Sequence, residues 1–315
     1  MRQTKLRNVV LALFAIASFP ASAVDWSQVN GKTITLFYTG LASWEWMLTQ
    51  AEHSGAKDMR VGKPCVACHG DEQIKIGNTI ASGIRLEPIP PTGVTGSIKA
   101  EVKFAYDAER LYVQVNWPAS DKVMGQPMDP EHVTKMSMML DDGTLKEARL
   151  GGCWGTCHDD LRRMASDTEE LDLTKYIVAS RKKVTRQGGG TNIKDESALA
   201  ALVAKGKFFE YWQARVDKQG KGHVIDGYIL ERRHENATAV VSGDVTRQGD
   251  RWVATLSRPL QAPSDTFKTL APGKDYMVGF AIHTGHADGR YHHVSLETSL
   301  RLGKGSASFI AKKLP

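Results

Sequence analysis

The stretch SIKAEVKFAYDAERLYVQVNW, residues 97–117, decides the fold. Ile98, Ala100, Val102 and Phe104 alternate with Ser97, Lys99, Glu101 and Lys103. Beyond a turn at Asp107–Glu109, Leu111, Val113, Val115 and Trp117 alternate again. Side chains on a strand point to opposite faces in turn, so this period of two predicts a β-hairpin with one buried face. The pattern returns at Trp252, Ala254 and Leu256, and at Tyr276, Val278, Phe280 and Ile282. Further strands are expected near 134–140, 208–217, 223–232, 238–247 and 292–301. Many short strands joined by Gly, Asp and Pro turns predict a mainly β protein, an antiparallel β-sandwich.

Outside the strands the chain is less regular. Residues 24–96 read as partly helical, with a short strand from Ile34 to Tyr38 and a short helix from Trp44 to Ala51 that ends near His53 and Gly55. Pro88, Pro90 and Pro91 mark a linker. Helices are also expected over Asp159–Ala165 and Ser197–Lys205. At the start, Arg2, Lys5 and Arg7 precede an apolar run from Val9 to Phe19, then Pro20 and the small residues Ala21-Ser22-Ala23. That is the pattern of a cleavable signal peptide, and about 11 apolar residues are too few to span a bilayer. The predicted organisation is therefore a signal peptide at 1–23, an N-terminal segment at 24–96 and a β-sandwich domain at 97–315. The mature protein is expected in the periplasm with no membrane span.

The formal net charge is +6. Removing Arg2, Lys5 and Arg7 leaves about +3, too mild an excess for a nucleic-acid partner. The densest basic cluster, Arg181, Lys182, Lys183 and Arg186, reads as a solvated loop.

All four cysteines fall in two short clusters. Cys65-Val66-Ala67-Cys68-His69 is the C-x-x-C-H pattern of covalent haem attachment. Two thiols add to the two vinyl groups of one haem, and the histidine that follows ligates the iron. Cys153-Trp154-Gly155-Thr156-Cys157-His158 has one more residue between its thiols, and Gly155 lets the longer loop bulge. Disulfides give no reason for a histidine after each pair, structural zinc is a less common use of exported thiols, and no βαβ unit accompanies the C-x-x-C. The expected cofactors are two covalently bound haem c groups, held by Cys65, Cys68 and His69 and by Cys153, Cys157 and His158.

The segment Tyr276–Ile282, the turn through Gly285 to Gly289 and His292-His293-Val294-Ser295, with the hairpin Phe104–Trp117 and Asp226–Glu231, resemble the haem-binding domain of the ethylbenzene dehydrogenase gamma-subunit type. The resemblance covers residues 95–305. It implies a β-sandwich that holds one haem near one end. In the family that haem is non-covalent, with lysine and methionine as axial ligands. The lysine position corresponds to His292, and the methionine region falls near Cys153–His158, so this chain departs from the pattern at both. It also resembles a c-type cytochrome branch of the family, which adds an N-terminal C-x-x-C-H haem.

His69 and His158 each supply one axial ligand, and an electron-transfer haem takes a second from His or Met. For the first haem His53 is expected, with His283, His286 and Met59 as alternatives. For the second, His292 is expected from the family position. His293 points to the opposite face of the same strand and is the alternative, with Met138, Met139 and Met164 competing. Met136, Met138 and Met139 as a group read as core packing.

Two haems on one soluble chain make an electron carrier, not an enzyme. The expected partners are a quinol-oxidising membrane cytochrome, a terminal reductase or a dehydrogenase. The alternatives are an electron-transfer subunit of a molybdenum oxidoreductase complex, implied by the resemblance, and a haem enzyme with an open iron position.

Overall fold

A computed structural model describes residues 24–40, 42, 44–87, 90, 93–120, 131–132, 134–158, 175–183, 193–283 and 292–315. The segment 1–23 expected to be a signal peptide, the helix expected at Asp159–Ala165, and Arg186, His286 and Met164 lie outside these residues.

The fold is mainly β. In chain order the strands are β1 (Lys32–Tyr38), β2 (Ser97–Tyr106), β3 (Arg110–Pro118), β4 (Thr134–Asp141), β5 (Thr156–His158), β6 (Lys175–Ile177), β7 (Phe209–Val216), β8 (Gly222–Ile229), β9 (Arg233–Glu235), β10 (Ser242–Gln248), β11 (Arg251–Pro259), β12 (Asp275–His283), β13 (His293–Val294), β14 (Thr298–Leu302) and β15 (Phe309–Lys313). The helices are α1 (Trp44–Met47), α2 (Ala56–Arg60), α3 (Val66–His69), α4 (Gln73–Ala81), α5 (Lys146–Gly151) and α6 (Glu196–Ala204). The hairpin of 97–117 is β2–β3, with Phe104 opposite Val113 and Val102 opposite Val115. Asp107 makes the turn: its Oδ1 accepts the N–H groups of Glu109 and Arg110, each at 2.7 Å.

Thirteen strands form one sheet in the order β10-β11-β3-β2-β1-β13-β12-β4-β7-β8-β9. β14 joins β12 to β15, and β15 runs parallel to β2, so the middle of the sheet closes on itself. The remaining β5 and β6 form a separate pair. The main core lies inside the fold. Phe104, Val113 and Trp117 from one side meet Met138, Trp212 and Phe280 from the other. Alternation explains the selection: on β4 and β12 the even-numbered residues Met136, Met138, Leu140, Val278, Phe280 and Ile282 face this core. The odd positions Met139, Met277 and Ala281 face a second apolar cluster on the outer surface of the sheet. Met136 and Met138 are thus core residues, while Met139 lies on the other face.

Two strand expectations change in detail. The stretch 292–301 is two strands, β13 and β14, interrupted at 295–297. The short strand of the 24–96 segment is not peripheral. β1 pairs with β2 along six residues and with β13 along two, so this segment is sewn into the sheet. Arg181 also differs from a solvated-loop residue. It is 3% exposed, and its guanidinium lies 3.6 Å from the centre of the Tyr176 ring.

α4 packs against the start of this sheet through Gly77. A Cβ there would lie 1.9 Å from the carbonyl oxygen of Gly96, which accepts the N–H of Tyr38 at 2.9 Å. Gly77→Ala is therefore expected to push α4 off β1. The expected cost is about 1–3 kcal/mol, read as a lower denaturant midpoint. An unchanged midpoint would show that the helix can move at no cost.

Candidate functional site

The segment 42–87 wraps a cavity of about 370 Å³ against the outer face of the sheet. Phe37, Met47, Met59, Ile76, Ile80 and Leu296 supply its apolar walls. Cys65, Cys68, His69 and His53 line the same cavity. Helix α3 explains why the three motif residues act together. Positions i, i+3 and i+4 share one face of a helical turn, and the N–H of His69 donates to the carbonyl of Cys65 at 2.9 Å, closing that turn.

His53 and His69 face one another with ring centres 6.1 Å apart and planes 38° apart. Each ring has its Nδ1 occupied. His53 Nδ1–H donates to the carbonyl of Met47 at 2.9 Å. His69 Nδ1–H donates to Glu72 Oε2 at 3.0 Å. A hydrogen bond at one ring nitrogen fixes the tautomer and leaves the other as the metal-binding lone pair. Burial lowers the pKa of His53 most, the Met47 carbonyl opposes this, and the nearby His69 and Arg85 lower it further. The net effect favours the neutral ring that a ligand needs. Glu72 is held below the usual carboxylate range by its hydrogen bond from His69 and by Lys75.

These features fit a haem. Two imidazole nitrogens each about 2 Å from one iron put the ring centres about 6 Å apart, close to the observed spacing. The walls are apolar, as a porphyrin requires, and the two thiols sit one helical turn apart beside the rings. Cys65 is buried, which pushes its thiol up to about 12, while Cys68 is exposed. Met59 is also buried in the wall, so His53 and Met59 line this cavity, His283 does not, and His286 lies outside the described residues.

The second motif lies in the 142–208 excursion between β4 and β7. Its backbone makes a 3-10 turn at Gly152–Gly155 and then β5, whose Cys157 is opposite Tyr176 of β6. Gly155 is needed for close packing and not for a left-handed backbone: a Cβ would lie 2.9 Å from the Phe209 ring. Thr156 is within 4.0 Å of the Met139 sulfur, so the motif rests on the outer face of the sheet.

Pairing of β12 with β13 brings His283 and His292 together. Their rings stack with centres 5.1 Å apart, and both are buried. His293 is separated from them. Its Nε2 meets the Thr95 carbonyl at 2.7 Å, and its ring lies beside Tyr38. The remaining described histidines away from these sites have polar or aromatic neighbours. His223 meets Asp217 and the His132 ring, and His234 meets Glu231 and stacks on Tyr228.

The two motifs meet at the backbone. Cys65 N–H donates to the Leu150 carbonyl at 2.8 Å, three residues before Cys153. Sequence reasoning missed this junction and also Glu297, whose Oε1 accepts the Val66 N–H at 2.7 Å. The 231 residues between them leave no local signal.

The family model described as ethylbenzene dehydrogenase matches residues 23–248. Cytochrome c-552 of Stutzerimonas stutzeri is 37% identical over 307 residues, covering 95% of this chain and 96% of that protein. Cytochrome c-551 of Rhodocyclus tenuis is 30% identical over 290 residues, covering 90% and 96%. Among solved structures, a family 9 carbohydrate-binding module from Caldicellulosiruptor kristjanssonii in complex with glucose aligns at TM-score 0.33 and 10% identity, over 68% of this chain and 81% of that one.

Proposed function

We propose that this chain, which belongs to the ethylbenzene dehydrogenase family and is an electron-transfer cytochrome of the c type, carries two covalent haems in the periplasm and passes electrons between respiratory redox proteins. The first haem would be held by Cys65 and Cys68, with His69 and His53 as ligands to its iron, on the segment 24–96. The second is attached at Cys153 and Cys157, with His158 and His292 as ligands, on the domain 97–315. The observation that carries the reading is the facing pair His53 and His69, each anchored at Nδ1 and 6.1 Å apart over two thiols in an apolar cavity.

A haem in this position supplies reversible one-electron chemistry. The chain's own residues set its conditions. Met47 and Glu72 hold the two imidazoles in the ligating tautomer. Phe37, Met59, Ile76 and Leu296 give the cavity an apolar wall. Two protein ligands leave no open position, which favours a carrier over an enzyme. The hydrogen bond from Cys65 to Leu150 supports a short path between the haems. The donor and acceptor are a quinol-oxidising membrane cytochrome, a terminal reductase or a dehydrogenase.

The test is a reductive titration followed by carbon monoxide. Two one-electron steps and no ready adduct at the first haem are expected. Rapid adduct formation there would favour a haem enzyme. Family membership favours one further reading, an electron-transfer subunit of a molybdenum oxidoreductase, which stable co-purification with a large catalytic subunit would support.

A further inference from the structure

We propose that electron transfer at the first haem carries a proton, and that Glu297 is the group that binds and releases it. This rests on the reading that Cys65, Cys68 and His69 hold a haem.

Glu297 lies between β13 and β14 and is 6% exposed. Its Oε1 accepts the N–H of Val66, the first residue of α3, at 2.7 Å. Its Oε2 is buried with no hydrogen-bond partner among the described residues. On its other side the chain presses against the second motif. A Cβ on Gly152, which has φ +54°, would lie 2.7 Å from the Cα of Glu297. One buried carboxyl thus sits at the junction of the two attachment segments.

A buried carboxylate that receives a single hydrogen bond is costly to ionise, so burial favours its protonated form. Burial pushes the Glu297 carboxyl up to about 7, with the Val66 N–H pulling the other way. The surrounding elements carry Cys65 and His69 at the ends of α3, Lys146, Glu147 and Arg149 on α5, Asp275 and His283 on β12, His293 on β13 and Arg301 on β14. Beside the Val66 N–H, Glu297 acts electrostatically on the Cys65 thiol, and thioether formation removes that group's charge. No described cation neutralises Glu297.

The charge at the iron then decides its state. On oxidation one electron passes to a redox protein, the site gains a positive charge, and the Glu297 O–H bond breaks with its proton passing to solvent. On reduction one electron enters from the donor and one proton returns to the carboxyl. The oxidised site favours the carboxylate, so the midpoint potential falls as pH rises through the window near neutrality.

The test is the midpoint potential of the first haem in the full holoprotein between about pH 5 and pH 9. The wild type is expected to show a falling potential, approaching a tenfold change in the redox equilibrium per pH unit, or 59 mV for one electron. Glu297→Gln keeps an acceptor for the Val66 N–H and is expected to flatten the slope near neutrality. A slope that persists in Glu297→Gln, or a flat wild type, overturns the proposal. Should that variant fail to fold, the redox-induced infrared difference spectrum of the wild type decides. Loss of a protonated-carboxyl band on oxidation at neutral pH supports the proposal, and its absence overturns it. A mass showing no haem on Cys65 and Cys68 overturns the underlying reading as well, before any potential is measured.

Discussion

His53→Ala is expected to convert the haem on Cys65 and Cys68 from a low-spin, two-ligand centre to a high-spin one that binds carbon monoxide when reduced. His69 and both thioethers remain, so covalent attachment is expected to survive. The ring of His53 faces His69 at 6.1 Å and is held by the Met47 carbonyl, and its removal leaves one side of the iron without an imidazole. His53→Met would substitute a thioether for the imidazole, and methionine ligation raises haem potentials. A rise in the potential of this haem alone is therefore expected. Met59 provides the contrast. It lines the same cavity, and if it were the native ligand the oxidised wild type would show a thioether-to-iron charge-transfer band and His53→Ala would leave the spectrum unchanged. Either observation would displace His53 from its assigned role.

Glu210→Ala is expected to give the largest loss of stability. Glu210 and Arg258 are fully buried, and the carboxylate accepts from Arg258 Nε at 2.6 Å and Nη2 at 2.9 Å. It also accepts from Trp212 Nε1 at 2.6 Å and from the Lys268 N–H at 2.7 Å. These bonds tie β7 to β11 and to the loop that follows it. Removing the carboxylate leaves the Arg258 charge buried without its counter-ion, a defect that costs about 3–5 kcal/mol. Replacing both residues with apolar ones removes the stranded charge and is expected to cost much less. Chemical denaturation of the single and double variants reads the difference. A single variant within about 1 kcal/mol of the wild type would show that water reaches Arg258 and takes the carboxylate's place.

The hairpin 97–117 was legible because its alternation is local, and the strand pairing repeats it residue by residue. The place of β1 was not. Its partners are β2, about 65 residues on, and the two-residue β13, too short for any periodic signal. At the first site the motif itself and the nearness of His53 were legible, while the hold of Glu72 on His69 emerged only from the structure. The Met47 carbonyl that orients His53 is a backbone group with no sequence signature. Glu297 carries none either, since only the folded sheet brings the chain end to α3. The Arg181 cluster misled for a related reason. Four basic residues in a stretch of six read as solvated, and Lys182 and Lys183 are exposed, yet Arg181 is buried against Tyr176.

The central claim is that two covalent haems share this one chain. Peptide mass mapping of the purified protein tests it most directly. The account predicts a chain beginning after Ala23, one haem on the peptide carrying Cys65, Cys68 and His69, and a second on the peptide carrying Cys153, Cys157 and His158. A single haem on the first peptide, with free thiols or a disulfide at Cys153 and Cys157, would contradict it.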